Sequence, residues 1–113
     1  MVRPARGEVW LADLDPARGH EQAGRRPVLV MSEDTYNRGP SELAIILPLT
    51  STLRNVAIHV QVRPPEGGLK VTSRVLCDAV PSVSLERFGP RLGAVSPATM
   101  AAVEEKLRIL MRL

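Results

Sequence analysis

The sequence predicts a small, mainly β fold: a barrel or strongly bent sheet of antiparallel strands, closed by a C-terminal helix. Three observations carry that expectation. Apolar runs of strand length recur up to about residue 95, each bounded by turn residues. Ten prolines and eight glycines punctuate them. After Ser96 the apolar period changes from strand-like to helical, with Pro97 at the first helical position.

The elements follow in order. GEVWLADL (7–14) reads as a buried strand, ended by the turn-initiating pair Asp15-Pro16. PVLVMS (27–32) and LAIILPL (43–49) are apolar runs of strand length. VAIHVQV (56–62) alternates, with Val56, Ile58, Val60 and Val62 on one face and Ala57, His59 and Gln61 on the other, which is the pattern of a half-buried strand. PPEGG (64–68) supplies a turn, RVLCDAV (74–80) a further strand and RLGAV (91–95) a short last one. Ser96 is a suitable N-cap. Met100, Val103, Leu107 and Leu110 then form an apolar helical stripe that needs a core or a partner to cover it. Glu104 and Arg108 are spaced to pair at i,i+4. Lys106, Arg108 and Arg112 crowd the last turns, where the helix dipole favours cations.

At 113 residues the expectation is one domain spanning 1–113, without repeats or linkers. With 44% apolar and 24% charged residues the composition is that of an ordinary soluble globule. The apolar run 43–49 is far too short to span a bilayer, and the N-terminus has no signal-like apolar core, so a cytoplasmic location is expected with no membrane partner. Cys77 is the single cysteine, which removes an intrachain disulfide and suits a small buried hydrophobe. The net charge of +3 is compatible with a nucleic-acid partner. Aromatic residues make up only 3% (Trp10, Tyr36, Phe88), so phosphate contacts and hydrogen bonds, not base stacking, would have to dominate such binding. No phosphate-binding G-x-x-x-x-G-K-[ST], no H-E-x-x-H and no paired cysteines are present, which disfavours ATP and structural zinc; neither metal nor other cofactor is expected.

Chemistry concentrates in DPARGHEQAGRRP (15–27). Gly19 and Gly24 permit positive φ and close backbone approach. The guanidiniums of this stretch have the geometry to fork onto phosphate oxygens. Glu21 is the carboxylate near its centre. A solvated hairpin whose charges pair among themselves is the competing reading. If the substrate is RNA, whose 2′-hydroxyl is an internal nucleophile, Glu21 suits the base and Arg26, beside Pro27 at a strand entrance, suits stabilisation of the phosphorane. The sequence leaves open which group protonates the leaving 5′-oxygen. LPLTST (47–52) ends a strand in hydroxyls, from which Thr50 would reach the same phosphate if the two strand ends meet; a turn accounts for Ser51 and Thr52. His59 on its alternating strand reads as structural. His20 has a useful titration range but a loop position that solvent alone explains. Asp13 and Asp15 at i,i+2 are a weaker candidate pair for Mg²⁺.

RGEVWLADLDPARGHEQAGRRPVLVMS (6–32) resembles the opening of the MazF/PemK family, toxins of bacterial toxin–antitoxin pairs, in the pattern R-G-[DE]-[VI]-x-x-x-D-[LF]-x-P followed by G-x-E-Q-x-G-x-R-P. LPLTS, HVQV and GAVSPATMAAVEEKL fit as well. The resemblance implies a PemK/CcdB-like, SH3-like barrel acting as a homodimer. It also implies metal-independent, sequence-selective cleavage of single-stranded RNA such as mRNA through a 2′,3′-cyclic phosphate, and inhibition by a cognate antitoxin. Carried over by position, it implies Glu21, Arg26 and Thr50 as catalytic residues, with His20, Gln22, Arg25 and Ser51 as RNA contacts. Three positions depart: His20 stands where a serine is common, and Ala79 and Pro81 where many members carry glutamine and a basic residue. Pro81 should end its strand or lie at a sheet edge. These departures bear on the recognition sequence and the strength of RNA binding. Two rival functions share the fold: a gyrase poison of the CcdB type, and a catalytically silent module that binds RNA or sequesters antitoxin.

Overall fold

The computed structural model describes residues 3–14, 24–52 and 56–113. Among these, seven strands form one curled antiparallel sheet: β1 (Glu8–Asp13), β2 (Arg25–Val30), β3 (Leu43–Thr50), β4 (Val60–Val62), β5 (Ser73–Val75), β6 (Ser82–Ser84) and β7 (Phe88–Ala94). The spatial order is β4-β5-β3-β2-β1-β7, with β6 added beside β3. The result is a half-barrel with the expected C-terminal helix.

β3 is the spine. Its first half pairs with β6 (Ala44 opposite Val83) and its last residues pair with β5 (Leu49 opposite Val75). Pro48 sits where the partner changes. Having no N–H, it leaves no donor orphaned at the switch, while its carbonyl accepts the Leu76 N–H at 2.9 Å.

Period-two alternation divides the strand side chains between two cores. Val9, Leu29, Leu47, Leu49, Val62, Val75 and Cys77 form one, covered by Val103 of a helix. Trp10, Ala12, Val28, Val30, Ala44, Ile46, Val83, Leu85 and Phe88 form the other, on the opposite face, with Trp10 and Phe88 edge to face at 5.8 Å. Deleting a fully buried side chain such as Leu47 costs about 2–5 kcal/mol.

A single helical turn, α1 (Asp34–Asn37), precedes β3; α2 (Pro97–Met111) follows β7. α2 starts as its sequence requires: the Ser96 hydroxyl accepts the Thr99 N–H at 3.1 Å and Pro97 opens the helix. Val103 is fully buried, and Met100 and Leu107 pack beside it, so the stripe is used. Its last member, Leu110, is exposed together with Ile109, Met111 and Leu113.

At the far edge, Glu8 ties β1 to β7. Its carboxylate accepts from the Arg91 Nε at 2.7 Å, from the Trp10 indole at 3.0 Å and from the Ala5 N–H at 2.8 Å. Burial works to raise its pKa, but these hydrogen bonds and the Arg91 charge together hold it below the usual carboxylate value.

Several expectations need correction. The alternating stretch 56–62 is a strand only from Val60, because the His59 N–H closes a turn onto the Val56 carbonyl at 3.0 Å. Ile58 and Val60 still pack on the core, so the alternation marks burial before it marks strand. The strand expected over 74–80 spans Ser73–Val75; the Ala79 N–H then turns back to the Leu76 carbonyl at 3.0 Å. Pro81 accordingly lies outside both neighbouring strands, its carbonyl taking the Ile46 N–H at 3.1 Å. β6 lies where the sequence signals no strand, β7 begins at Phe88 ahead of the expected 91, and β2 begins at Arg25 ahead of Pro27. Glu104 reaches the Arg6 guanidinium, which also holds the Met31 carbonyl, in place of its expected helical partner Arg108; Arg108 lies 3.8 Å from Glu105.

Candidate active site

The candidate residues on strands can be located by register alone. In the β1–β2 ladder Ala12 stands opposite Arg26. In the β2–β3 ladder Val30, Leu29 and Val28 face Ile46, Leu47 and Pro48. That ladder ends at Val28 and Pro48; Arg26 and Thr50 lie two residues beyond it on their respective strands. Thr50 in turn faces Arg74 of β5, and Arg74 faces Gln61 of β4. Residues directly opposite share a sheet face. Ala12 with Arg26, and Thr50 with Arg74 and Gln61, are two runs of cross-strand neighbours that alternation puts on the face carrying Val28 and Ile46, a row interrupted where the β2–β3 ladder ends.

Paired strands lie about 4.8 Å apart, so Thr50 and Arg74, and Arg26 and Ala12, are each within side-chain reach of one another. Thr50 Oγ1 accepts the Thr52 N–H at 3.2 Å, which orients the hydroxyl and leaves its hydrogen to be donated elsewhere. The Nε of Arg74 is buried and has no hydrogen-bond partner. Arg74 takes no part in the ion pairs Glu8–Arg91, Glu104–Arg6, Asp78–His59 and Glu105–Arg108. The chemistry such a row offers is anion binding, with donors that match a tetrahedral phosphate.

The remaining candidates fall as follows. Arg25 alternates to the other face, where it stands opposite Asp13, and its guanidinium lies beside Gly89. It does not share the row. Ser51 is exposed just beyond β3. His20, Glu21 and Gln22 lie outside the described residues, as does Asp15 of the weaker acidic pair. The chain on either side of that segment is fixed at the end of the β1–β2 hairpin, where the Leu14 N–H donates to the Gly24 carbonyl at 2.9 Å. This is the sheet end that bears Arg26 and Thr50. His59, expected to be structural, has its Nε2 3.0 Å from Asp78 Oδ1. Among the described residues no group of three or more His, Cys, Asp and Glu is gathered where it could hold a metal ion.

Arg74 and Gln61 are the residues that sequence reasoning passed over. Gln61 had a signal, since the alternation in 56–62 already set it on the face away from the valines. Arg74 had none, because only strand register brings it to Thr50.

Comparison with known proteins agrees with the fold. Residues 5–111 match the model of the PemK-like, MazF-like toxins of type II toxin–antitoxin systems, and the chain belongs to that family. It is 34% identical over 113 residues to endoribonuclease MazF9 of Mycobacterium tuberculosis, covering 96% of each chain. To endoribonuclease PemK of Escherichia coli it is 35% identical over 111 residues, 94% of this chain and 80% of that one. Among solved structures, MazF from Deinococcus radiodurans superposes with a TM-score of 0.88 at 31% identity over the whole of both chains. An endoribonuclease from a mycobacterial species, solved in complex with its cognate antitoxin, gives 0.81 at 29% identity over 97% of this chain and 96% of that one.

Proposed function

We propose that this protein is an endoribonuclease toxin that cleaves single-stranded RNA and is held in check by a cognate antitoxin. The observation that carries it is the β2–β3 ladder, which ends at Val28 opposite Pro48 and points on, two residues further along each strand, to Arg26 and Thr50 on one face. Relatives of nearly equal length named as endoribonucleases support cleavage over gyrase poisoning, and the complex of a structural neighbour with its antitoxin supports the partner.

In this reading the RNA supplies its own nucleophile. Glu21 accepts the proton of a 2′-hydroxyl, whose oxygen attacks the adjacent phosphorus. The 2′-O–P bond forms, the P–O5′ bond breaks, and the products are a 2′,3′-cyclic phosphate and, after proton uptake, a 5′-hydroxyl. Arg26 and Thr50 donate to the non-bridging oxygens as negative charge builds on the phosphorane, the place where preorganised donors act most strongly. Ser51, exposed at the end of β3, serves as an RNA contact, with His20 and Gln22 as further contacts from the hairpin segment. Arg25 contributes from the neighbouring face.

The protein acts as a homodimer in this proposal, and the exposed Ile109, Leu110, Met111 and Leu113 are apolar surface that a second copy would cover. Sedimentation showing a monomer that stays monomeric on concentration would remove the dimer. No helix among the described residues is long and apolar enough to cross a membrane.

The test is incubation of purified protein with a long single-stranded RNA in EDTA, beside Arg26→Ala, with mapping of the new ends. Defined fragments ending in cyclic phosphate from the wild type alone are expected. An inert but folded wild type, free of antitoxin, would overturn the catalytic reading.

A further inference from the structure

We propose that Arg74 is a second phosphate ligand, gripping from the β5 side the same backbone phosphate that Arg26 holds from the β2 side, with the Thr50 hydroxyl between them. The proposal rests on the ribonuclease reading and adds a residue that the sequence pattern of the family did not bring forward.

Three observations converge on Arg74. It stands directly opposite Thr50 in the β3–β5 ladder, on the face to which alternation along β2 from Val28 also assigns Arg26. Its other cross-strand neighbour is Gln61, uncharged and able to donate through its amide. Its Nε is buried without a hydrogen-bond partner, an arrangement that is costly in a folded protein unless something else meets that donor. The ion-paired carboxylates of the described residues are matched to Arg6, His59, Arg91 and Arg108, so Arg74 does not serve as a salt-bridge strut with any of them.

Cβ atoms of directly opposed residues lie about 4.5–5.5 Å apart, well within the length of an arginine side chain. Two guanidiniums that bracket one hydroxyl thus approach a single tetrahedral anion from two sides. Each presents a planar fork that matches two of its oxygens. Arg74 then binds RNA before reaction, whatever base lies beside the phosphate.

The experiment measures binding of an uncleavable 2′-O-methyl RNA of mixed sequence by fluorescence anisotropy across a salt series, together with cleavage of ordinary RNA. Arg74→Ala is expected to weaken binding about tenfold or more. It should also flatten the plot of log affinity against log salt by about 0.7, the loss of one phosphate contact on a single strand. Arg74→Lys should keep the slope but lose part of the affinity, since an ammonium lacks the fork. Should Arg74→Ala unfold, Arg74→Gln, similar in length and uncharged, is measured in its place. A folded variant with wild-type affinity and slope overturns the assignment while leaving the ribonuclease reading intact. If the wild type cleaves nothing but Arg74→Ala still loses binding and slope, the nuclease reading fails and the phosphate site stands. A wild type that binds no RNA overturns both.

Discussion

The Thr99 hydroxyl donates to the Glu66 carboxylate at 2.5 Å, and the same oxygen accepts the Ser96 N–H at 2.9 Å. The 3₁₀ turn Glu66–Gly68 is thereby fastened to the first turn of α2. The Thr99 bond outweighs burial and, with the Ser96 bonds, holds the Glu66 pKa below its usual value. A carboxylate whose folded pKa is depressed stabilises the protein above its unfolded pKa and loses that contribution as pH falls through the folded one. Glu66 and Glu8 both follow this sign. Wild-type melting temperature should fall steeply below about pH 4, and Glu66→Gln should be less stable at pH 7 yet show a shallower acid limb. Thermal melts between pH 3 and pH 7 check this; parallel curves would show that Glu66 is not part of the acid response.

Thr50 should matter to the reaction through its hydroxyl and not its shape. Thr50→Val keeps the branched side chain at the end of β3 and removes the donor. Its cleavage rate should fall roughly 10²-fold, as for loss of one preorganised donor to a developing anion. Thr50→Ser should recover most of it. Single-turnover cleavage at saturating enzyme separates this from weakened binding, and equal rates for the three proteins would remove Thr50 from the site.

Gly68 supports the fold in a way no other residue can. Its φ is +69°, and a Cβ added there would lie 1.8 Å from the Leu92 carbonyl oxygen. Gly68→Ala must therefore push the turn away from β7, at a cost of about 3 kcal/mol or more from overpacking and backbone strain combined. Urea denaturation should show the midpoint shift. A change of less than 1 kcal/mol would mean that β7 yields easily there.

Cys77 should be chemically silent in the folded protein. Burial, followed by the nearby Asp78 charge, pushes its thiol up to about 11, so little thiolate exists at pH 8. Iodoacetamide is expected to label it at pH 8 only in denaturant. Rapid labelling of native protein would mean that the core around Val75 and Cys77 opens readily.

The sequence was most legible where local chemistry decides the outcome. Ser96-Pro97 starts a helix because both residues act within one turn, and that start is where the structure has it. The apolar runs of β1 and β3 were equally direct. What escaped depends on partners distant in sequence. β6 exists only because Val83 meets Ala44 of β3, and Glu104 turns from Arg108 to Arg6 because the N-terminal segment passes beside the helix. The site divides in the same manner. Arg26 and Thr50 were readable as residue types beside apolar runs, while their alignment with Arg74 is a matter of register that spacing along the chain does not encode.

The bond from Leu14 to Gly24 has a consequence for how such a protein can diversify. It seals the hairpin at its mouth, so strands β1 and β2 are secured before the chain enters residues 15–23. Insertions, deletions or exchanges beyond that seal leave the ladder holding Arg26 in place undisturbed. Length and composition of that segment can therefore vary independently of the sheet, so long as Glu21, the proposed base, is kept within it.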